Sequence, residues 1–309
     1  MSETKKTLLV IGSLNMDLVV TAPRHPEIGE TITANDFHTF PGGKGANQAV
    51  AAARLGGNVK MIGKLGCDPF GDQLFDSITR NGVDATFVTR DPQTPTGVAL
   101  ITVDQQGENT ILIVAGANGR VTVTDVQAAA PAFTDAAILL LQHELPQAAV
   151  EQAIHMGKAH GLKIVLNPAP ARELSDELLA EIDYLVPNES ELSLLSGLNS
   201  LEASIRMLLS RGVQRLIVTL GGDGAILATP QQQIHVPAFC IEPVDTTAAG
   251  DAFLGAFTVA LSEGADLREA ARRGNAAGAL TATKPGAQPS LPTRQELEQF
   301  LRTRASVKD

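Results

Sequence analysis

At 309 residues, 44% hydrophobic and 19% charged, the chain has the makeup of a globular protein with a large core, and no Pro/Ser-rich linker, long charge block, low-complexity tract or solenoid-period repeat divides it. A net charge of −10, no Trp and one Tyr exclude nucleic acid as a partner, because phosphate-backbone contact needs basic surface and base stacking needs aromatic rings. The longest apolar stretch, Ala136–Leu141, is far short of the roughly 20 residues that span a bilayer, and Met1-Ser2-Glu3-Thr4-Lys5-Lys6 lacks the cleavage site of a secretory signal, so no membrane partner and a cytoplasmic location are expected.

In chain order, apolar β-branched runs at 8–11, 59–62, 138–141, 163–166 and 216–219 alternate with helical patterns. Strands apolar on both faces and separated by helices predict a mostly parallel sheet covered on each side, an α/β three-layer α/β/α sandwich. Segments 18–21, 30–33 and 98–113, the last turning at Gln105-Gln106-Gly107, read as hairpin strands without helices between them. They predict a small β-sheet lid, with strands at approximately 17–40 and 96–114, that is inserted in a single domain over 1–309 and excludes water from a transfer reaction. Cys67 and Cys240 stand in no metal or disulfide spacing and are expected as buried free thiols. Near the carboxyl end, Phe253, Leu254, Phe257 and Leu261 fall on one face of a helix that stops near Gly264, and Thr293 with Glu296 forms a capping box for a last helix.

Two segments carry the chemistry. Gly42-Gly43-Lys44-Gly45-Ala46-Asn47 opens an alanine-rich helix, so backbone N–H groups and a lysine converge on one small volume. An isolated Gly-Gly pair is ordinarily a tight turn, and Lys44 with Asn47 moves the reading towards a site. It is not a Walker A loop, since Gly45 stands where Ser or Thr would follow the lysine. A Gly-x-Gly-x-x-Gly after the first strand, a Gly-x-Ser-x-Gly elbow and a metal-ligand spacing of His155 and His160 are all absent, which sets aside hydride, acyl-transfer and zinc chemistry. Asp245-Thr246-Thr247-Ala248-Ala249-Gly250-Asp251 places an aspartate in the first turn of a helix, behind three small residues. An acidic residue there can simply favour the helix dipole. The bare backbone of Ala248, Ala249 and Gly250 does more, offering unpaired N–H groups to a phosphoryl group beside a carboxylate that can accept a proton.

These two segments resemble the paired signatures of the ribokinase-like family of carbohydrate kinases. Further pieces of the same family pattern follow in order: Gly12-Ser13-Leu14-Asn15-Met16-Asp17, Asn167-Pro168-Ala169-Pro170-Ala171, Pro187-Asn188-Glu189-Ser190-Glu191, Thr219-Leu220-Gly221-Gly222-Asp223-Gly224 and Gly286-Ala287-Gln288-Pro289-Ser290. The resemblance therefore extends over nearly the whole chain. It implies the ribokinase-like α/β fold and ATP-dependent phosphorylation of D-ribose at the 5-hydroxyl, with deoxyribose, a nucleoside or another small sugar as alternative acceptors.

By the same resemblance, Asp251 is the catalytic base, and Ala248, Ala249 and Gly250 form the anion hole. Asn15, Asp17, Gly43, Lys44, Asn47, Glu144 and Asp251 would hold the sugar. Asn188, Thr219, Gly221, Gly222, Asp223, Gly224, Gly250 and Asn275 would hold ATP, with Glu191 acting indirectly on Mg2+. Asp245, Thr247, Thr281, Lys284, Gly286 and Ser290 would bind K+, mainly through backbone oxygens. His143 departs from the family pattern, where an apolar residue is expected, and Asn15 favours ribose over 2-deoxyribose because an amide there would lose its 2-hydroxyl partner. A homodimer through the exposed lid edges is expected. The rival of another class, a non-catalytic sugar-binding regulator, sits badly with Asp251 and its small neighbours.

Overall fold

The apolar runs become strands because each has core on both sides. A computed structural model describes residues 6–305 of the chain, so Met1–Lys5, part of the segment read for a secretory signal, lies outside the described residues. Its strands are β1 (Thr7–Ile11), β2 (Asn15–Thr21), β3 (Asp36–Gly42), β4 (Asn58–Gly66), β5 (Asp84–Asp91), β6 (Gly97–Val103), β7 (Asn109–Val114), β8 (Ala136–Leu141), β9 (Lys163–Leu166), β10 (Tyr184–Leu185), β11 (Leu216–Thr219), β12 (Ala225–Ala228) and β13 (Gln233–Val236). The larger sheet runs β13-β12-β11-β10-β9-β8-β1-β4-β5. It is parallel from β11 through β5, and β12 and β13 are added antiparallel at one edge.

Successive strand residues point to opposite faces, and the two cores divide accordingly. Leu8 and Val10 of β1 pack with the helices Lys44–Arg54, Ala249–Ser262 and Leu267–Ala282. Leu9 and Ile11 face the other way, onto the helices Gln147–Ala159 and Leu201–Ser210. The expected three-layer sandwich follows directly. The Ala249–Ser262 helix was expected to bury one face; it is buried all round from Asp251 to Leu261, because two further helices flank it on the sheet.

The smaller sheet runs β3-β2-β6-β7, with β2/β3 and β6/β7 antiparallel and β2/β6 parallel between them. The strand expected at 30–33 does not form. Asn35 N donates to Thr21 O, which registers β3 from Asp36 onward, and the Glu30 N–H turns back on Glu27 O while its carboxylate pairs with Arg24. Local turn bonding here overrides the β propensity of Thr31, Ile32 and Thr33. The cysteines also depart from expectation: Cys67 and Cys240 are exposed, each lying in a connection beyond a strand end where the sheet's cover stops. The capping box of the last helix is present, with Thr293 N on Glu296 Oε2 at 2.7 Å and Glu296 N on Thr293 Oγ1 at 3.3 Å.

Candidate active site

β1 ends at Ile11, and after Gly12-Ser13-Leu14 the chain enters β2, so Asn15 and Asp17 stand two residues apart on one face at the junction of the two sheets. The Lys44–Arg54 helix starts against this junction, its N-cap Gly43 at φ 87°, a conformation that costs a non-glycine residue strain. A Cβ on Gly45 would collide with the backbone of Gly12 and Ser13, so glycine lets the helix start sit directly on the strand end. Glu144 joins the two: its Oε2 accepts from Ser13 Oγ and from Lys44 N at 3.3 Å, a carboxylate at the positive end of the helix.

Asp251, the third residue of the Ala249–Ser262 helix, is held at both oxygens. Asn47 Nδ2 donates to Oδ2 at 3.0 Å and Gln48 Nε2 to Oδ1 at 2.9 Å. Gln48 in turn accepts from Gln142 Nε2, and Asn167 Nδ2 donates to Val186 O at 3.0 Å. This buried chain of amides leaves the Asp251 carboxylate no freedom to rotate. The helix above it has no side-chain N-cap, and Ala248 at the N-cap position takes a left-handed φ of 60°. Ala249 N donates to Thr246 O at 3.1 Å, and the Gly250 and Asp251 N–H groups behind it remain available to an anion.

A cavity of about 240 Å³ opens at this point, bounded by Lys44, Asn188, Glu191, Thr219, Thr246, Ala248, Gly250 and Asp251 among others. A larger cavity, about 360 Å³, lies away from this chemistry on the far side of the Ala249–Ser262 helix. Asn188 and Glu191 cap their own helix reciprocally, Asn188 N on Glu191 Oε2 at 2.9 Å and Glu191 N on Asn188 Oδ1 at 2.8 Å, and Asn188 bridges to Thr219 at the end of β11. The electrostatics are lopsided. Burial pushes Asp251 above the usual carboxylate range, against Lys44 and the two amides. Burial, then the Glu144 and Asp251 carboxylates, push Asp17 up to about 7, with Lys44 opposing. Burial raises Glu191 as well. Burial works against the Lys44 ammonium, yet Asp251, Glu144, Glu191 and Asp17 together hold it above its ordinary value.

The remaining expected residues divide. Gly221, Gly222 and Asp223 form a 3-10 turn beyond Thr219, closed by Gly224, outside the cavity wall. Asn275 is not in the wall either; its Nδ2 donates to Val236 O at 3.0 Å and Pro237 O at 3.1 Å behind that turn. Asp245 spends its carboxylate on Thr247 N at 2.9 Å and Gly286 N at 2.8 Å, tying the loop before the Ala249–Ser262 helix to the loop after the Leu267–Ala282 helix. Lys284 N reaches Thr281 O at 3.1 Å, and Ser290 Oγ donates to Ala287 O at 2.7 Å. Thr281 Oγ1 is buried without a partner among the described residues.

Gln48, Gln142 and Asn118, which the sequence reading does not single out, hold predicted site residues: Gln48 bonds Asp251, Gln142 bonds Gln48, and Asn118 bonds Asn15. Gln48 carried a usable signal, since Lys44, Asn47 and Gln48 fall at i, i+3 and i+4 of an otherwise alanine-rich buried helix. Gln142 and Asn118 reach the site only through tertiary structure.

Residues 5–294 match the profile of the pfkB family carbohydrate kinases. The ribokinase of Haemophilus influenzae is 41% identical over 302 residues, which cover 96% of this chain and 99% of that one. A deoxyribokinase of Salmonella typhimurium is 39% identical over 300 residues, covering 95% and 98%. The structure of Arabidopsis thaliana ribokinase complexed with ribose and ATP superimposes with a TM-score of 0.88 at 34% identity, over 97% of this chain and 99% of that one.

Proposed function

Because the chain belongs to the pfkB family of carbohydrate kinases, we propose that it transfers the γ-phosphoryl group of ATP to the 5-hydroxyl of D-ribose, giving ribose 5-phosphate. The observation that carries the chemistry is Asp251, buried, raised in pKa and fixed at both oxygens beside helix N–H groups that no side chain caps. As the 5-hydroxyl oxygen attacks the γ-phosphorus and the bond to the β-phosphate oxygen breaks, Asp251 takes the hydroxyl proton. General-base help of this kind is worth about 10²–10⁴ in rate. The Gly250 N–H meets the charge on the transferring group without reorganising, whereas the Ala249 N–H would first have to leave Thr246 O, to which it donates at 3.1 Å.

Asn15 and Asp17 offer an amide and a carboxylate to vicinal hydroxyls, with Asn47 and Glu144 across the junction. Ribose is favoured over deoxyribose, the substrate named for one relative, because Asn15 presents a donor that a missing 2-hydroxyl would leave unmet. Asn188, Thr219 and Gly250 stand where ATP would lie, and the turn of Gly221, Gly222, Asp223 and Gly224, backed by Asn275, would close over the base.

The acidic surplus around Lys44 would repel a bare polyphosphate, and a divalent cation relieves that repulsion. Among the described residues no three acidic, His or Cys side chains cluster as a metal cage, which fits Mg2+ held mostly by water and phosphate oxygens with Glu191 in attendance. Bound there, Mg2+ would neutralise phosphate charge. The donors near Asp245, Thr247, Thr281, Lys284, Gly286 and Ser290 are oxygens, the unpartnered Thr281 hydroxyl included, which fits K+ steadying the backbone of the anion hole. No described helix is long and apolar enough to cross a membrane, and a cytoplasmic, lid-paired homodimer completes the reading.

Asp251→Asn is the deciding variant. It should keep sugar and ATP binding in calorimetry and lose turnover by about 10²–10⁴-fold. Near-normal turnover would remove Asp251 from the role of base.

A further inference from the structure

Asn118 lies in the 3-10 turn Gly116–Arg120, which brings the chain back from β7, and it is 1% exposed. The hydrogen bonds of its side chain are all directed at the start of β2. Its Oδ1 accepts from Leu14 N at 3.0 Å, and its Nδ2 donates to Leu14 O at 3.0 Å and to Asn15 Oδ1 at 2.8 Å. The two bonds to Leu14 fix which end of the Asn118 amide is which, because Oδ1 must face an N–H and Nδ2 a carbonyl. With that orientation set, only an oxygen of Asn15 can face Asn118 Nδ2. The NH2 group of Asn15 is therefore turned away from Asn118, as a donor with no acceptor among the described residues.

We infer that Asn118 is a positioning residue for sugar selectivity: it locks the Asn15 amide so that its donor, not its acceptor, meets the sugar. This rests on Asn15 being a sugar ligand, as proposed above. The same lock sits at the base of the lid. Ala117 N donates to Pro95 O at 2.8 Å, and Asn15 pairs in register with Gly97, the first residue of β6. A Cβ on Gly97 would collide with both Asn15 Oδ1 and Asn118 Nδ2. Glycine at 97 is thus required by the amide pair and by the Ala115 carbonyl, which a Cβ would also meet, so the entry and exit of the β6/β7 hairpin both bear on the group proposed to read the sugar.

A contact made equally to bound sugar and transition state appears in KM more than in kcat. Asn118→Ala should lower kcat/KM for ribose about tenfold or more, through KM, while 2-deoxyribose changes less than about threefold, so the ratio between the two sugars collapses. Asn118→Ala added to Asn15→Ala should cause no further loss of that ratio. Gly97→Ala, which disturbs the pair from the lid side, should reproduce the loss of selectivity and serves if the Asn118 variant does not fold. A parallel fall for both sugars, or an unchanged ratio in folded Asn118→Ala and Gly97→Ala, would overturn the proposal. If Asn15→Ala abolishes selectivity and the other two leave it intact, only the role of Asn118 fails. A wild-type enzyme that does not phosphorylate ribose would remove the underlying reading and this one with it.

Discussion

Asp17 shows how one residue can report on the whole charge balance of the site. Its carboxyl is pushed up to about 7 by burial first and by Glu144 and Asp251 next, from an unperturbed value of 3.8. A carboxyl raised in the folded state holds its proton longer than in the unfolded chain. Its contribution to stability is therefore present at low pH and is lost as pH climbs from about 4 to about 7. Sugar hydroxyls donating to Asp17 favour the ionised form, so binding should expel a proton below that window's upper end. We expect ribose affinity to rise about tenfold per pH unit up to about pH 7 and to level off above it, with proton release seen by calorimetry in buffers of different ionisation enthalpy. Asp17→Asn should abolish the proton release, and a wild-type affinity flat from pH 5.5 to 8 would contradict it. His143, by contrast, is pushed down to about 4, by burial and then by Arg172, and stays neutral at working pH. Its Nδ1 meets Pro170 O at 3.3 Å, so it fills an apolar position as an uncharged ring, which accounts for its departure from the family pattern.

At the scale of elements, the start of the Ala249–Ser262 helix matters most. A Cβ on Gly250 would meet nothing within 4 Å, so the protein itself places no demand for glycine there. In the proposed reaction the demand comes from chemistry, since a side chain would stand where the phosphoryl group is to approach the N–H groups. Gly250→Val should fold with unchanged thermal stability and bind sugar normally, yet lose about 10²-fold in kcat. An unaltered kcat would move the anion hole elsewhere. This helix start and the apolar strands were legible in the sequence because each is a local pattern: a run of small residues before an aspartate, or four to six apolar residues in a row. The failures were not local. Segment 30–33 has strand-forming residues, but the register of β3 is set by Asn35 reaching Thr21. Gln142 and Asn118 become site residues only because distant loops return to the ends of β8 and β1, which no spacing in the sequence announces.

For the molecule as a whole, the question is what covers the lid. The larger sheet has helices on both faces, whereas β7 is exposed from end to end, with Leu112 at 69% and Ile111, Ile113 and Val114 near half. Neighbouring residues of a strand face opposite ways, and the register places Ile113 beside Ala99 and Asp17 on one face and Leu112 beside Leu100 and Leu18 on the other. Apolar side chains on both faces of an edge hairpin are what a second copy would bury, and charged residues would be expected there in a monomer. Sedimentation at micromolar concentration should accordingly give twice the mass of one chain. Leu112→Glu with Leu100→Glu, both on the face away from Asp17, should give a monomer whose KM for ribose is raised several-fold while Asp251 and its amides are untouched, because the lid alone loses its support. A wild-type monomer at that concentration would leave the exposed lid unexplained by pairing and would confine its role to closing over the sugar.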